Sequence, residues 1–126
     1  LITKMGVGDR VKIRLIENDS ELVTLMQRCS FFLFPSIRET FGMVGLEAMA
    51  CGKPVIACNV GSLPEVIGEG GLILEPSHSQ WADAIDNLSS DLELRRRAGS
   101  KALARSMEFH WDKQVDRLLE IFNRYA

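Results

Sequence analysis

Hydrophobic positions along this chain follow two different periods, and together they predict an alternation of strands and helices. The run "VKIRLI", Val11 to Ile16, is rich in strand-favouring residues. "FFLF", Phe31 to Phe34, closed by Pro35, and "PVIAC", Pro54 to Cys58, are short continuous apolar runs, the pattern of strands buried on both faces. "GLILE", Gly71 to Glu75, predicts a fourth strand. Between them, "SELVTLMQRC", Ser20 to Cys29, has helical spacing with Ser20 as its N-cap, and an apolar helix precedes a stop at Gly52. A short helix follows from "SLPEVI", where Ser62 and Glu65 have capping-box spacing and Pro64 is tolerated in the first turn. Three helical stretches finish the chain: Ser79 to Ser89, Asp91 to Met107 and Trp111 to Arg124. The last places Trp111, Val115, Leu118, Leu119 and Phe122 on one face, which predicts that Trp111 and this helix anchor the domain. Leu1 to Met5 read as the end of a helix stopped by Gly6 or Gly8. Strand, helix, strand, helix predicts an α/β fold with a parallel sheet.

One helix in this series contains a contradiction. In "RETFGMVGLEAMACG", every residue from Phe41 to Cys51 is apolar or glycine except Glu47. A helix apolar on all sides is expected to be buried, and a carboxylate inside it needs a partner.

Composition narrows the frame. With 126 residues and 46% hydrophobic content, the chain suffices for one modest domain. A net charge of −2 gives no sign of a nucleic-acid partner. Cys29, Cys51 and Cys58 lack CxxC spacing and lie in or beside apolar runs, as reduced core thiols of a cytoplasmic protein do. No apolar segment reaches membrane-spanning length. The run "RRR", Arg95 to Arg97, reads as a solvated helix face. His78 reads as a loop residue and His110 as a neighbour of Trp111, neither with a catalytic role.

Candidate chemistry lies in the turn "PSIRETFG" that leaves Phe34, because parallel sheets bind ligands outside the carboxyl ends of their strands. Gly42 lets a ligand approach the backbone, and free N–H groups with the helix dipole there favour an anion such as phosphate. Glu39 and Glu47 stand on either side of that niche. A carboxylate is the wrong partner for phosphate, but it suits the vicinal hydroxyls of ribose or a hexose. From Gly42, Glu47 lies about 7 Å along the helix axis. A ligand with sugar, phosphates and sugar in series would then meet Glu39 at one end and Glu47 at the other. The plainer alternatives leave Glu39 in a solvated turn and pair Glu47 with Arg14 or Arg38.

These residues resemble a known family. "PSIRETFGMVGLEAMACGKPVIACNVGSLPEVI" is similar to the donor-binding segment of retaining GT-B glycosyltransferases, glycosyl transferases group 1 (family 4). Their hallmark is two glutamates separated by seven residues with Phe-Gly after the first, here "ETFGMVGLE"; the tail "FHWDKQ" also resembles the family's closing region. The resemblance implies that this chain is the C-terminal nucleotide-sugar-binding part of a GT-B fold, a partial Rossmann-like parallel sheet. It implies a transfer of hexose from a nucleoside diphosphate sugar to a hydroxyl acceptor with retention, without a metal or other cofactor. Glu39 would contact donor-sugar hydroxyls as the catalytic-site carboxylate. Backbone amides at Phe41, Gly42 and Met43, with Thr40 and Val44 beside them, would line the donor, and Glu47 would hold the ribose diol. "VGSLPE" is similar to the family's Gly-Gly-x-Pro-Glu turn, with Ser62 in place of the second glycine. "LIENDS" lacks the glycine that family members have near the base, which leaves the base open.

The same resemblance implies six parallel strands ordered 3-2-1-4-5-6, of which this chain supplies the third to the sixth. Strands one and two, the Arg and Lys that bind the diphosphate, and an N-terminal acceptor-binding domain would belong to preceding sequence. The strand from Val11 would then have no neighbour joining it to the strand from Phe31, and the last helix would cross back to the other domain. Such enzymes work in the cytoplasm, often at a membrane surface, where Arg95 to Arg97 would meet lipid headgroups. Two alternatives stand beside this reading: a sugar-nucleotide epimerase of the same architecture, and a separately encoded half-domain that binds nucleotide or a partner subunit.

Overall fold

The computed structural model describes residue 2 and residues 4–125. Its centre is a parallel sheet of three strands, β1 (Phe32–Phe34), β2 (Val55–Cys58) and β3 (Gly71–Leu74), ordered β1-β2-β3. Phe32 pairs with Val55 and Phe34 with Ala57, while Val55 faces Gly71 and Cys58 faces Leu74 across the other side. The continuous apolar run of β2 has its expected consequence: all four residues are buried. Alternate side chains of β2 go to opposite faces. Val55 and Ala57 join Met26, Ala48, Met49, Leu63, Ile67 and Ala102 in one core cluster, and Ile56 joins Ala84 and Leu88 in the other. β1 is less enclosed than its sequence predicts, because it lies at an edge and Leu33 is left 40% exposed.

The helices are α1 (Asp19–Arg28), α2 (Met43–Ala50), α3 (Leu63–Ile67), α4 (His78–Ser90), α5 (Leu92–Ser106) and α6 (Trp111–Tyr125). α2 stops as its sequence predicts, with Gly52 at φ 69° and its N–H bonded to the Met49 carbonyl at 2.8 Å. At the start of α5, Asp91 is the N-cap and accepts the Leu94 N–H at 2.8 Å. Cys29, Cys51 and Cys58 are free thiols; Cys58 is buried, and burial pushes its pKa upward. No helix among the described residues is long and apolar enough to cross a membrane.

Several elements differ from expectation, each for a local reason. Residues 11–16 form no strand: they are exposed, Ile13 at 86% and Leu15 at 85%, because no neighbouring strand among the described residues takes up their backbone groups. The N-cap of α1 is Asn18, not Ser20. Its extended backbone aims the side chain at the Glu21 N–H, 2.9 Å away, and Ser20 falls inside the helix. Ser62 makes no capping box, since its helical backbone (φ −85°, ψ −5°) is the wrong geometry for a cap, and its Oγ is buried without a partner. His78 begins α4 rather than lying in a loop, and Arg95 is half-buried, donating to the Ser89 carbonyl at 3.2 Å.

Nor does α6 anchor anything: none of its residues is buried and Trp111 is 81% exposed, because its apolar stripe meets no facing element among the described residues. The helix end expected over Leu1 to Met5 falls partly outside the described residues. Within it the Met5 N–H reaches the Ile2 carbonyl at 3.2 Å in a turn, followed by Gly6 at φ 64°.

Candidate functional site

The segment leaving β1 at its carboxyl end carries the predicted site. After Pro35 the chain turns, with the Ser36 hydroxyl donating to the Arg38 carbonyl at 2.9 Å, and reaches Glu39. The half-buried Glu39 carboxylate folds back onto its own loop, where one oxygen accepts the Thr40 N–H at 2.9 Å and the Phe41 N–H at 3.4 Å. Gly42 is buried, adopts φ 94° and caps α2. A side chain there would be strained and would stand 2.6 Å from Leu63 Cδ2. The first intrahelical bond runs from the Leu46 N–H to the Gly42 carbonyl at 3.2 Å, and no side chain caps the turn before it. The open N–H groups of that turn and the helix dipole make it receptive to an anion.

The apolar helix proves to have two faces. Gly45, Ala48 and Met49 point into the core, whereas Met43, Val44 and Glu47 are exposed. Glu47 is therefore a surface carboxylate and needs no buried partner. Arg14, a candidate for that role, pairs with Glu21 instead. At spacings of three and four residues, Met43 and Val44 share a face of α2 with Glu47. The structure thus brings Glu39, Thr40, Phe41, Gly42, Met43 and Val44 together at the strand end and sets Glu47 one turn further along α2. Thr40, Phe41, Met43, Val44 and Glu47 are exposed and form an open surface. Clefts of about 750 Å³ between β3, α4 and α5, and of about 460 Å³ around Lys53 and Arg96, contain neither Glu39 nor Glu47.

A family model described as glycosyl transferases group 1 matches residues 1–105. The chain belongs to this family. Among curated relatives, the D-inositol 3-phosphate glycosyltransferase of Stackebrandtia nassauensis is 36% identical over 122 residues, which are 94% of this chain and 28% of that protein. Anabaena Alr3699/HepE, solved in complex with UDP and with UDP-glucose, superposes with TM-scores of 0.84 and 0.83 at 31% and 30% identity. Each match covers 98% of this chain and 35% of that one. Sucrose-phosphate synthase from Thermosynechococcus elongatus gives a TM-score of 0.83 at 30% identity, covering 99% of this chain and 33% of that one. The fold is that of the C-terminal domain of GT-B glycosyltransferases, and the chain spans less than a third of the curated relative named here.

For this group 1 glycosyltransferase chain, sequence reasoning missed residues that hold the loop. Gly61, at φ 54°, lies so close to Glu39 that a Cβ would sit 2.1 Å from the Glu39 carbonyl oxygen. It is the glycine of "VGSLPE", so the signal was present as a turn motif without a contact. On the other side, the Phe41 ring meets Phe109 edge-on, with centroids 6.1 Å apart and planes at 85°. Only "FHWDKQ" hinted at Phe109. At the ends of β2 and β3, Asn59 donates to the Glu75 carboxylate at 2.7 Å.

Proposed function

We propose that the protein containing this chain transfers a hexose from a nucleoside diphosphate sugar to a hydroxyl acceptor with retention, and that this segment holds the donor. The observation that carries the reading is the juxtaposition of the Glu39 carboxylate, the uncapped amides of α2 and the exposed Glu47 at the carboxyl end of β1. The UDP and UDP-glucose complexes of the Anabaena protein support it at about the same fold and 30% identity.

On this reading the α2 amides face the diphosphate. As the bond between the anomeric carbon and the phosphate oxygen breaks, negative charge grows on the leaving group, and fixed N–H dipoles stabilise it without reorganising. Glu39 releases the Thr40 and Phe41 amides and accepts hydroxyls of the donor sugar instead, which frees two more donors for the ligand. Glu47 accepts the ribose diol. The acceptor site belongs to a preceding domain, whose wall turns the open surface described here into a cleft. The enzyme works in the cytoplasm without a metal, and the exposed Arg96 and Arg97 suit contact with an anionic membrane surface.

Calorimetry and transfer assays on the full-length gene product test the reading. Glu47→Ala is expected to weaken UDP binding by about tenfold or more, the scale of a charge-assisted hydrogen bond. Glu39→Ala is expected to reduce transfer from the complete donor while bare UDP binds as before. Equal and negligible effects of both substitutions would sink the donor assignment, and an inverted anomeric centre in the product would remove retention.

A further inference from the structure

The loop between β1 and α2 has few restraints of its own. Beyond Pro35 its apolar side chains are Ile37, which is 86% exposed, and Phe41. The Phe41 ring meets a ring from the far end of the domain. Phe109 closes the 3-10 turn Met107–Phe109 that follows α5 and presents its ring to the Phe41 ring at 6.1 Å. The Arg105 guanidinium lies 4.9 Å from the centroid of the same Phe109 ring. Arg105 in turn donates to the carbonyls of Val66, at 3.2 Å, and Glu65 in the last turn of α3, and pairs with Glu108. Its stem lies over Gly70, where a Cβ would stand 2.9 Å from Arg105 Cβ. At the other end of α3, Gly61 rests on the Glu39 carbonyl and Leu63 on Gly42. The contacts close a ring that runs from Glu39 through Gly61 and α3 to Arg105, Phe109, Phe41 and back to Glu39.

We infer that Phe109, seated by Arg105, is a positioning residue for the donor loop: by holding the Phe41 ring it sets the direction of the Thr40 and Phe41 amides and of the Glu39 carboxylate. The inference rests on the donor-binding reading above and adds a division of labour to it. The sugar half of the donor depends on Phe109, and the nucleotide half, held at Glu47, does not. An aromatic edge-to-face contact suits this task because it fixes ring orientation as well as distance. Ordering the loop in advance removes a cost that the donor would otherwise carry on binding.

The test uses the full-length gene product with UDP and UDP-glucose as probes, and hydrogen exchange of the amides of residues 38–43 without ligand. Phe109→Ala is expected to weaken UDP-glucose binding about tenfold while UDP changes less than about twofold, roughly the scale of one lost aromatic pair. Exchange in the loop should quicken about tenfold while β2 amides stay protected. Phe109→Tyr, which keeps the ring edge, should restore all three values. Equal weakening of both probes, or loop exchange that matches the parent protein, would overturn the inference. Should the parent bind neither probe, uridine is excluded as the donor base, and loop exchange still decides whether Phe109 positions the loop. Where Phe109→Ala loses β2 protection as well, Phe109→Leu replaces it, keeping apolar volume without the ring.

Discussion

Gly61 shows at the scale of one residue how little room the site allows. Two constraints meet there: a backbone at φ 54°, which L side chains rarely adopt, and the Glu39 carbonyl oxygen, 2.1 Å from any Cβ. The neighbour is backbone and cannot rotate away, so either the turn at 59–62 or the loop carrying Glu39 must shift. Gly61→Ala is expected to destabilise the folded protein by about 2 kcal/mol or more, read from urea or thermal unfolding. A melting temperature equal to the parent's would show that the approach is looser than described. Glu39 itself is turned onto its own loop, where its carboxylate accepts from the Thr40 and Phe41 amides. Its position in the motif was legible in sequence; its present partners were not, because a side chain turned onto its own loop leaves no pattern in the order of residues.

At the scale of elements, the helix starts separate local pattern from actual geometry. Ser20 and Asn18 both precede the apolar spacing of α1, and both are good capping types. Asn18 takes the role because its backbone is extended (φ −154°, ψ 160°) and its side chain reaches the Glu21 N–H. Asn18→Ala is expected to cost about 1 kcal/mol of stability and Ser20→Ala less than about 0.5 kcal/mol, a difference that chemical denaturation resolves. The reverse order would return the cap to Ser20. α2 makes a related point. Its sequence is apolar on every side, yet only one side is enclosed, so Met43, Val44 and Glu47 form a surface next to the anion-receptive turn. The element was legible from its composition and its Gly52 stop, and the identity of its buried face was not.

For the whole molecule, unpartnered apolar surface is the main feature. Leu33 on the edge strand, residues 11–16, and the α6 stripe of Trp111, Val115, Leu118 and Phe122 are all exposed. An edge strand and an apolar helix face of this kind invite association. The isolated 126-residue chain is expected to bind an apolar dye and to sediment as associated species at micromolar concentration. A dye-free, monodisperse monomer would mean that α6 closes onto its own domain in solution. Since the chain spans 28% of the Stackebrandtia nassauensis relative, the proposed preceding domain supplies a natural cover for these surfaces.

The sequence by itself determined the kind and order of most elements, the parallel sheet they build and the stretch that carries the two spaced glutamates. Those properties follow from periods and spacings that are local to a few turns of chain. Tertiary structure decided the rest: that residues 11–16 find no strand to pair with, that Glu47 faces outward, that Ser62 leaves its hydroxyl unpaired, and that Gly61 and Phe109 close on the loop. The physical reason is the same in each case. A strand, a buried face or a contact across the domain exists only through a second segment far away in sequence, and periodicity describes a segment without saying what it will meet.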